Sequence, residues 1–139
     1  MTYLNGLKEE VSTWPRISVH THRFGGREFR FRKAEVGHVH DSGEVDIPFP
    51  RAFHDELLAR GLAEEHRWAP NSGWITFYVR CEGDIQQALW LMRLSYLRYA
   101  LKAVPDPILT SFSNRRVNGS VWALVSEIFS DALYPRGQR

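Results

Sequence analysis

The stretch from Ile17 to Ile47 alternates polar and apolar side chains with the period of two that β-strands require. Residues typical of tight turns interrupt it three times, at Gly25–Gly26, Arg32–Lys33 and Asp41–Gly43. Strands joined by such short turns pair antiparallel with their neighbours in the chain. The sequence therefore predicts a four-stranded antiparallel meander, which constrains the fold more than any other feature.

Helical patterns lie on both sides of this meander. Leu4–Trp14 has its apolar residues at helical spacing, and a second helix is predicted from Pro50 to Gly61. Trp74–Arg80 is rich in β-branched and aromatic residues and predicts a fifth strand, with Glu65–Trp68 as a short partner. Ile85–Val104 gives the strongest helical pattern in the chain.

One more amphipathic helix is predicted near the end of the chain, within a C-terminal extension at about residues 119–134. Together these patterns predict a single α+β domain spanning residues 1–139. In this domain an antiparallel meander sheet of about five strands is packed by helices, two of them C-terminal.

Composition excludes several classes of protein. With 43% hydrophobic residues in 139, the chain is long enough to bury roughly two thirds of the surface that its unfolded form exposes. A formal net charge of +2 is too small to indicate a polyanion partner by electrostatics alone. The single cysteine, Cys81, rules out an internal disulfide. No signal-peptide core and no membrane-spanning stretch is present, so a cytoplasmic location is expected.

Four of the six histidines form two HxH pairs inside the meander, His20/His22 and His38/His40. Two-residue turns in the first two hairpins would place all four on one face of the sheet. His22 and His38 would then lie two strands and two residues apart, with about 12 Å between their Cβ atoms. A single ion about 2.1 Å from each imidazole cannot easily span that distance, which disfavours a four-histidine centre. The same face would carry the apolar residues Phe29, Phe31, Ala34 and Val36.

The second histidine pair is predicted to meet carboxylates. If Gly43 takes the left-handed position of a three-residue loop, His40 pairs with Glu44 and His38 pairs with Asp46. Such pairs can be metal ligands, or a base with its orienting partner. They can equally be cross-strand salt bridges worth roughly 0.2 to 1 kcal/mol each. The adjoining apolar residues favour a pocket wall.

These patterns lead to a site hypothesis. The leading interpretation is a small-molecule or metal-binding protein, or an enzyme, that uses a histidine and carboxylate cluster; the sequence does not identify a cofactor. The alternative is a nucleic-acid- or protein-binding interaction module without catalysis, and the third is a homo-oligomer whose aromatic surface is an interface. The predicted catalytic residues are His38, His40 and Asp46. The predicted ligand-binding residues are His22, Glu44, His66, Trp74 and Tyr96.

Several separated blocks of the sequence carry a family resemblance. These blocks are HRFGGREFRF at His22, EVGHVH at Glu35, DIPFPR at Asp46, SGWITF at Ser72 and LSYLRYA at Leu94. Over about residues 14–101 the chain resembles a small family, found mainly in bacteria and fungi, that is labelled luciferase-like domain. The resemblance implies no catalytic residue set and no cofactor. More remotely, the order of elements resembles the YjbR-like α+β fold, which implies a link to DNA binding.

Overall fold

The structure is a computed structural model that describes residues 2–103. It contains three α-helices and six β-strands within that range, together with two single 3₁₀ turns at Arg23–Gly25 and Glu82–Asp84. In chain order the elements are α1 (Thr2–Ser12), β1 (Ile17–Thr21), β2 (Arg27–Phe31), β3 (Ala34–Val39), β4 (Glu44–Pro48), α2 (Arg51–Ala59), β5 (Glu64–Glu65), β6 (Trp74–Tyr78) and α3 (Ile85–Ala103).

The strands form one antiparallel sheet in the order β1-β2-β3-β4-β6-β5. This confirms the predicted α+β fold and the four-stranded meander. A short partner strand lies beside β6 as expected, but at Glu64–Glu65 instead of Glu65–Trp68. The helix predicted within residues 119–134 lies outside the described residues, so the second C-terminal helix and the extent of the domain stay predictions. In the described part of the chain, no helix combines the length and apolar content needed to cross a membrane.

Helices α1 and α3 pack against each other and against one face of the sheet. Ser95 of α3 donates its hydroxyl hydrogen to the carbonyl oxygen of Val36 in β3 at 2.7 Å. The fully buried side chains between the helices and the sheet are apolar, as burial in a single core requires. They include Leu7, Val11, Phe29, Val39, Val45, Ile47, Ile75, Leu91 and Met92. We call this side of the sheet the core face.

The predicted register of the first two hairpins is wrong. Val19, rather than His22, pairs with Phe29, because residues 22–26 are all used in the connection between β1 and β2. In the second hairpin Phe31 pairs with Ala34 as predicted, but a β-bulge between Phe29 and Arg30 then shifts the pairing by one residue. Each one-residue shift moves side chains to the opposite face of the sheet.

As a result, the histidines do not share a face with the phenylalanines. Phe29, Phe31 and Val36 are buried on the core face. The predicted apolar neighbours of the histidines are therefore wrong. On the opposite side, which we call the polar face, one cross-strand row runs through all six strands. Its members are His20, Glu28, His38, Asp46, Thr76 and Glu64.

The β3–β4 hairpin has the predicted register. His38 pairs with Asp46, and the backbone N–H of His40 donates to the carbonyl oxygen of Glu44 at 2.8 Å. Gly43 has a φ of +100°, the left-handed conformation that was expected of it. A Cβ atom at this position would also overlap the carbonyl oxygen of Val79. The hairpin that holds half of the predicted site residues, His38, His40, Glu44 and Asp46, is thus fixed by one glycine.

Candidate metal centre

Asp46 lies in the middle of β4, between β3 and β6, and its side chain is only 5% exposed. Thr76 on β6 donates its hydroxyl hydrogen to Asp46 Oδ1 at 2.6 Å. The other carboxylate oxygen, Oδ2, points toward a cluster of imidazoles. A buried carboxylate needs such partners, because an unpaired charge in this position is strongly destabilising.

Three imidazole nitrogens converge on Asp46 Oδ2. The Nε2 atoms of His38 and His40 each lie 3.0 Å from it, and Nε2 of His66 lies 3.6 Å away. His38 comes from β3 and His40 from the turn that follows, whereas His66 comes from the connection between β5 and β6. One carboxylate oxygen cannot be a good acceptor for three donors at once, so this arrangement suits a cation held among the four side chains.

The opposite side of the His38 ring is occupied as well. Its Nδ1 lies 2.6 Å from Glu35 Oε2. A neutral imidazole carries one N–H, so it cannot donate to Glu35 and Asp46 together. Either the ring is doubly protonated, or Nδ1 donates to Glu35 while Nε2 offers its lone pair to a cation beside Asp46. The second arrangement is the carboxylate, histidine and metal relay found at many metal sites.

The acids change the protonation of His38. Burial opposes a charged ring, but the hydrogen bonds to Asp46 and Glu35 overcome it and raise the pKa of His38 to about 9. For Asp46, burial opposes the charged carboxylate, yet the hydrogen bonds from His38 and Thr76 lower its pKa to about 2. Without an ion, the stable form of this pair is therefore an imidazolium facing a carboxylate.

His66 differs from the other two histidines in its second hydrogen bond. The backbone N–H of Trp68 donates to His66 Nδ1 at 3.1 Å. This leaves the ring hydrogen of neutral His66 on Nε2, the atom that faces Asp46. To bind an ion through Nε2, His66 would have to release the N–H of Trp68. We therefore regard it as a weaker ligand than His38 and His40.

His22 lies much nearer to His38 than predicted. Their rings stack with centroids 3.9 Å apart and an interplanar angle of 17°. The expected separation of about 12 Å is wrong, because His22 lies in the β1–β2 connection and folds back over the polar face. Potential ligand atoms of His22, His38 and His40 lie within 4.8 Å of one another. His20, the other half of that HxH pair, instead bonds Ser18 Oγ at 2.8 Å.

The Luciferase domain family model matches residues 33–95. This match is consistent with the luciferase-like domain resemblance, and it contains the whole Asp46 cluster but not His22. No curated protein and no solved structure matches the chain. The resemblance to the YjbR-like fold is not shown by these comparisons.

A cavity of about 650 Å³ opens over the polar face of the sheet. Six of the predicted site residues line it: His22, His38, His40, Glu44, Asp46 and His66. Glu44 also forms a potential ligand group with His40 and Asp46, whose oxygen and nitrogen atoms lie within 4.8 Å of one another. The cavity therefore brings together six predicted residues that are separated by up to 44 positions in the sequence.

The two predicted aromatic residues lie in different places. The Trp74 ring packs beside the cluster, with its centroid 5.5 Å from His38 and 5.9 Å from His66. Tyr96 does not reach the site, because α3 covers the core face; its ring contacts Trp14 and Phe31 instead. A tyrosine on the apolar stripe of that helix belongs to the core.

Several site residues were missed by sequence reasoning. Thr76 could have been found, since WITF was predicted as a strand and only its register against Asp46 was lacking. Glu35 could not have been found, because the β-bulge determines which face of the sheet its side chain lies on. His54 lies apart from this cluster: it is buried in α2, with its ring nitrogens near Asp55 and Glu65.

Proposed function

We propose that this luciferase-like domain binds one divalent transition-metal ion between Asp46 and the Nε2 atoms of His38 and His40, and uses it to bind and activate a small molecule in the adjoining cavity. The observation that carries the proposal is the convergence of three imidazoles on one oxygen of a buried carboxylate. His66 is the candidate fourth ligand.

The distances suit a metal ion. Two ligands each about 2.1 Å from a tetrahedral ion are about 3.4 Å apart, and two at right angles around an octahedral ion are about 3.0 Å apart. The observed separations from Asp46 Oδ2 are 3.0, 3.0 and 3.6 Å. The oxygen to nitrogen distances therefore fit an ion after shifts of a few tenths of an ångström, and the donor atoms of His38, Asp46 and His66 already lie within 4.8 Å of one another, as do those of His40, Glu44 and Asp46. An ion shared by His38 and His40 also requires their two Nε2 atoms to move closer together. Two imidazoles and a carboxylate favour zinc, manganese or iron over calcium or magnesium.

The set His38, His40 and Asp46 leaves coordination positions open for a ligand. An ion bound there would act as a Lewis acid toward a molecule in the cavity or lower the pKa of a bound water. His22 lines the same cavity, and its Nδ1 lies 3.3 Å from Glu28 Oε1. A histidine oriented by a carboxylate can transfer protons to or from a bound molecule. Catalysis is thus part of this proposal.

The test is calorimetric titration of Zn²⁺, Mn²⁺ and Fe²⁺ into chelator-treated protein, with Fe²⁺ titrated under anaerobic conditions. We expect one ion per chain, and a loss of affinity of more than about 100-fold in His38→Ala and His40→Ala. His66→Ala should lose less, because its ring must first release Trp68.

His20→Ala is the matched control, because it removes an imidazole from the same meander at a position outside the cavity. Equal losses in His20→Ala and His38→Ala, or no saturable binding of any of the three ions, would contradict the proposal. The alternative of a nucleic-acid- or protein-binding module stays a prediction, as does the homo-oligomer.

A further inference from the structure

The cavity has a second set of residues that the proposed metal site does not use. Arg23 and Arg67 both line it and both are exposed, as is Trp68, whose side chain is among the most exposed large apolar groups described, at 79%. Arg23 comes from the β1–β2 connection and Arg67 from the β5–β6 connection. Two separate loops thus each bring one guanidinium group to the same opening.

Several exposed arginines, among them Arg16, Arg32 and Arg80, form no ion pair with an acidic side chain of residues 2–103, but only Arg23 and Arg67 of the described arginines also line the cavity. Arg30, Arg51 and Arg60 each pair with a nearby carboxylate, those of Glu28, Asp55 and Glu56. No acidic side chain within residues 2–103 forms an ion pair with Arg23 or Arg67, and Arg67 lies over the ring of Trp68, 5.7 Å from its centroid. Guanidinium groups with free donors recognise carboxylate and phosphate oxygens well, because their N–H groups match the spacing of two oxygens.

The net charge of the cavity also favours an anionic ligand. With His38 neutral, as a metal ligand must be, the charged lining residues are Arg23 and Arg67, which contribute +2, and Glu44 and Asp46, which contribute −2. A divalent ion at Asp46 would give the cavity a net charge of +2, or of +1 if Glu35, which bonds the far side of His38, is counted as well. A site with this surplus attracts anions and repels cations.

From this we propose that the cavity binds an organic anion, a carboxylate or a phosphate ester that carries a flat apolar group. Arg23 and Arg67 hold its oxygens, the metal ion faces the same end, and Trp68 and Tyr78 contact its apolar part. The inference rests on the proposed function for the ion, but the arginines are tested separately. The volume of about 650 Å³ is far larger than a bare inorganic ion needs and suits a small organic molecule.

The experiment measures binding of three probes of similar size by calorimetry: phenyl phosphate, benzoate and the uncharged benzyl alcohol. Each is titrated into metal-free and Zn²⁺-loaded protein, with the metal content of every sample determined by mass spectrometry. We expect one or both anions to bind and benzyl alcohol not to bind. Arg23→Gln and Arg67→Gln should each weaken anion binding about tenfold, the loss of one charge-assisted hydrogen bond.

Arg60→Gln is the control, because it makes the same chemical change at an exposed arginine on α2 that does not line the cavity. A preference for phenyl phosphate or for benzoate would distinguish the two anion classes. Equal effects of all three arginine variants would overturn the inference, and so would binding of benzyl alcohol as tight as that of the anions. Neither result would contradict metal binding, because the metal content is measured separately. Absence of metal in loaded samples would instead refute the proposed function.

Discussion

Replacing Asp46 by asparagine removes the negative charge at the centre of the site and keeps the size of the side chain. In the metal-free protein burial acts to lower the pKa of His38, but the interactions with Asp46 and Glu35 outweigh it and raise the pKa to about 9. A raised pKa in the folded state stabilises the fold fully below the ordinary histidine value of about 6.5, and this stabilisation is lost as the pH rises through 9. The free energy of unfolding should therefore fall between pH 6.5 and pH 9.

The size of this fall follows from the two pKa values. The difference between 6.5 and about 9 corresponds at most to about 3 kcal/mol. Solvent in the cavity screens the interaction, and Glu35 contributes part of it, so we expect Asp46 to account for about 1 to 2 kcal/mol. In Asp46→Asn the pKa of His38 should drop, and the unfolding free energy should become less dependent on pH by that amount.

The assay is urea unfolding of metal-free wild-type protein and Asp46→Asn at pH 6, 7.5 and 9. Asp41→Asn is the matched control, because Asp41 lies in the same hairpin but is exposed and pairs with Lys8 at 2.7 Å. Its pH dependence above 6 should equal that of the wild type. If Asp46→Asn and the wild type lose the same stability between pH 6 and 9, the proposed ion pair between His38 and Asp46 is refuted.

Three further predictions follow from the same structure. Gly43→Ala should lower the free energy of unfolding by at least about 2 kcal/mol in urea, because of its φ of +100° and the overlap with Val79. Tyr96→Phe should cost about 1 kcal/mol through the lost hydrogen bond of its hydroxyl, with metal affinity unchanged in calorimetry. Glu35→Gln should weaken metal affinity about 10- to 100-fold at unchanged stoichiometry, because His38 loses its orienting carboxylate.

The β3–β4 hairpin could be predicted from sequence because its geometry is local. A single glycine in the left-handed conformation sets a three-residue loop, and the loop sets which residues face each other. The pairing of His38 with Asp46 then follows without any knowledge of the rest of the chain. Local turn chemistry was sufficient for this part of the site.

The β1–β2 hairpin could not be predicted in the same way, because its two glycines have different roles. Gly25 has a φ of +81°, but Gly26 has a φ of −77° and is extended. A Cβ atom on Gly26 would lie 3.0 Å from the carbonyl oxygen of Val39 and close to the His22 and His40 side chains. Gly26 therefore permits a close approach between strands, and a sequence pattern does not distinguish this from a turn.

The bulge in β3 and the position of His66 depend on contacts distant in the chain. At Gly37 a Cβ atom would lie 2.8 Å from Sδ of Met92, so the path of β3 is coupled to the packing of α3. His66 reaches Asp46 only because the short strand β5 pairs with β6 beside it. His66 was named as a candidate from its residue type, but a lone histidine 20 residues from Asp46 carries no local signal of where it lies.

The distribution of buried polar groups supports a functional rather than a structural role for the Asp46 cluster. His38, Asp46 and Thr76 are three of the six buried polar or charged residues described, and they are direct neighbours across β3, β4 and β6. A buried ion pair commonly contributes less stability than apolar side chains of similar volume, because both charges must be desolvated. Apolar residues on the polar face would therefore give a more stable sheet. Binding sites commonly keep buried polar groups that lower the stability of the fold, and here these groups lie beside a cavity lined with potential metal ligands.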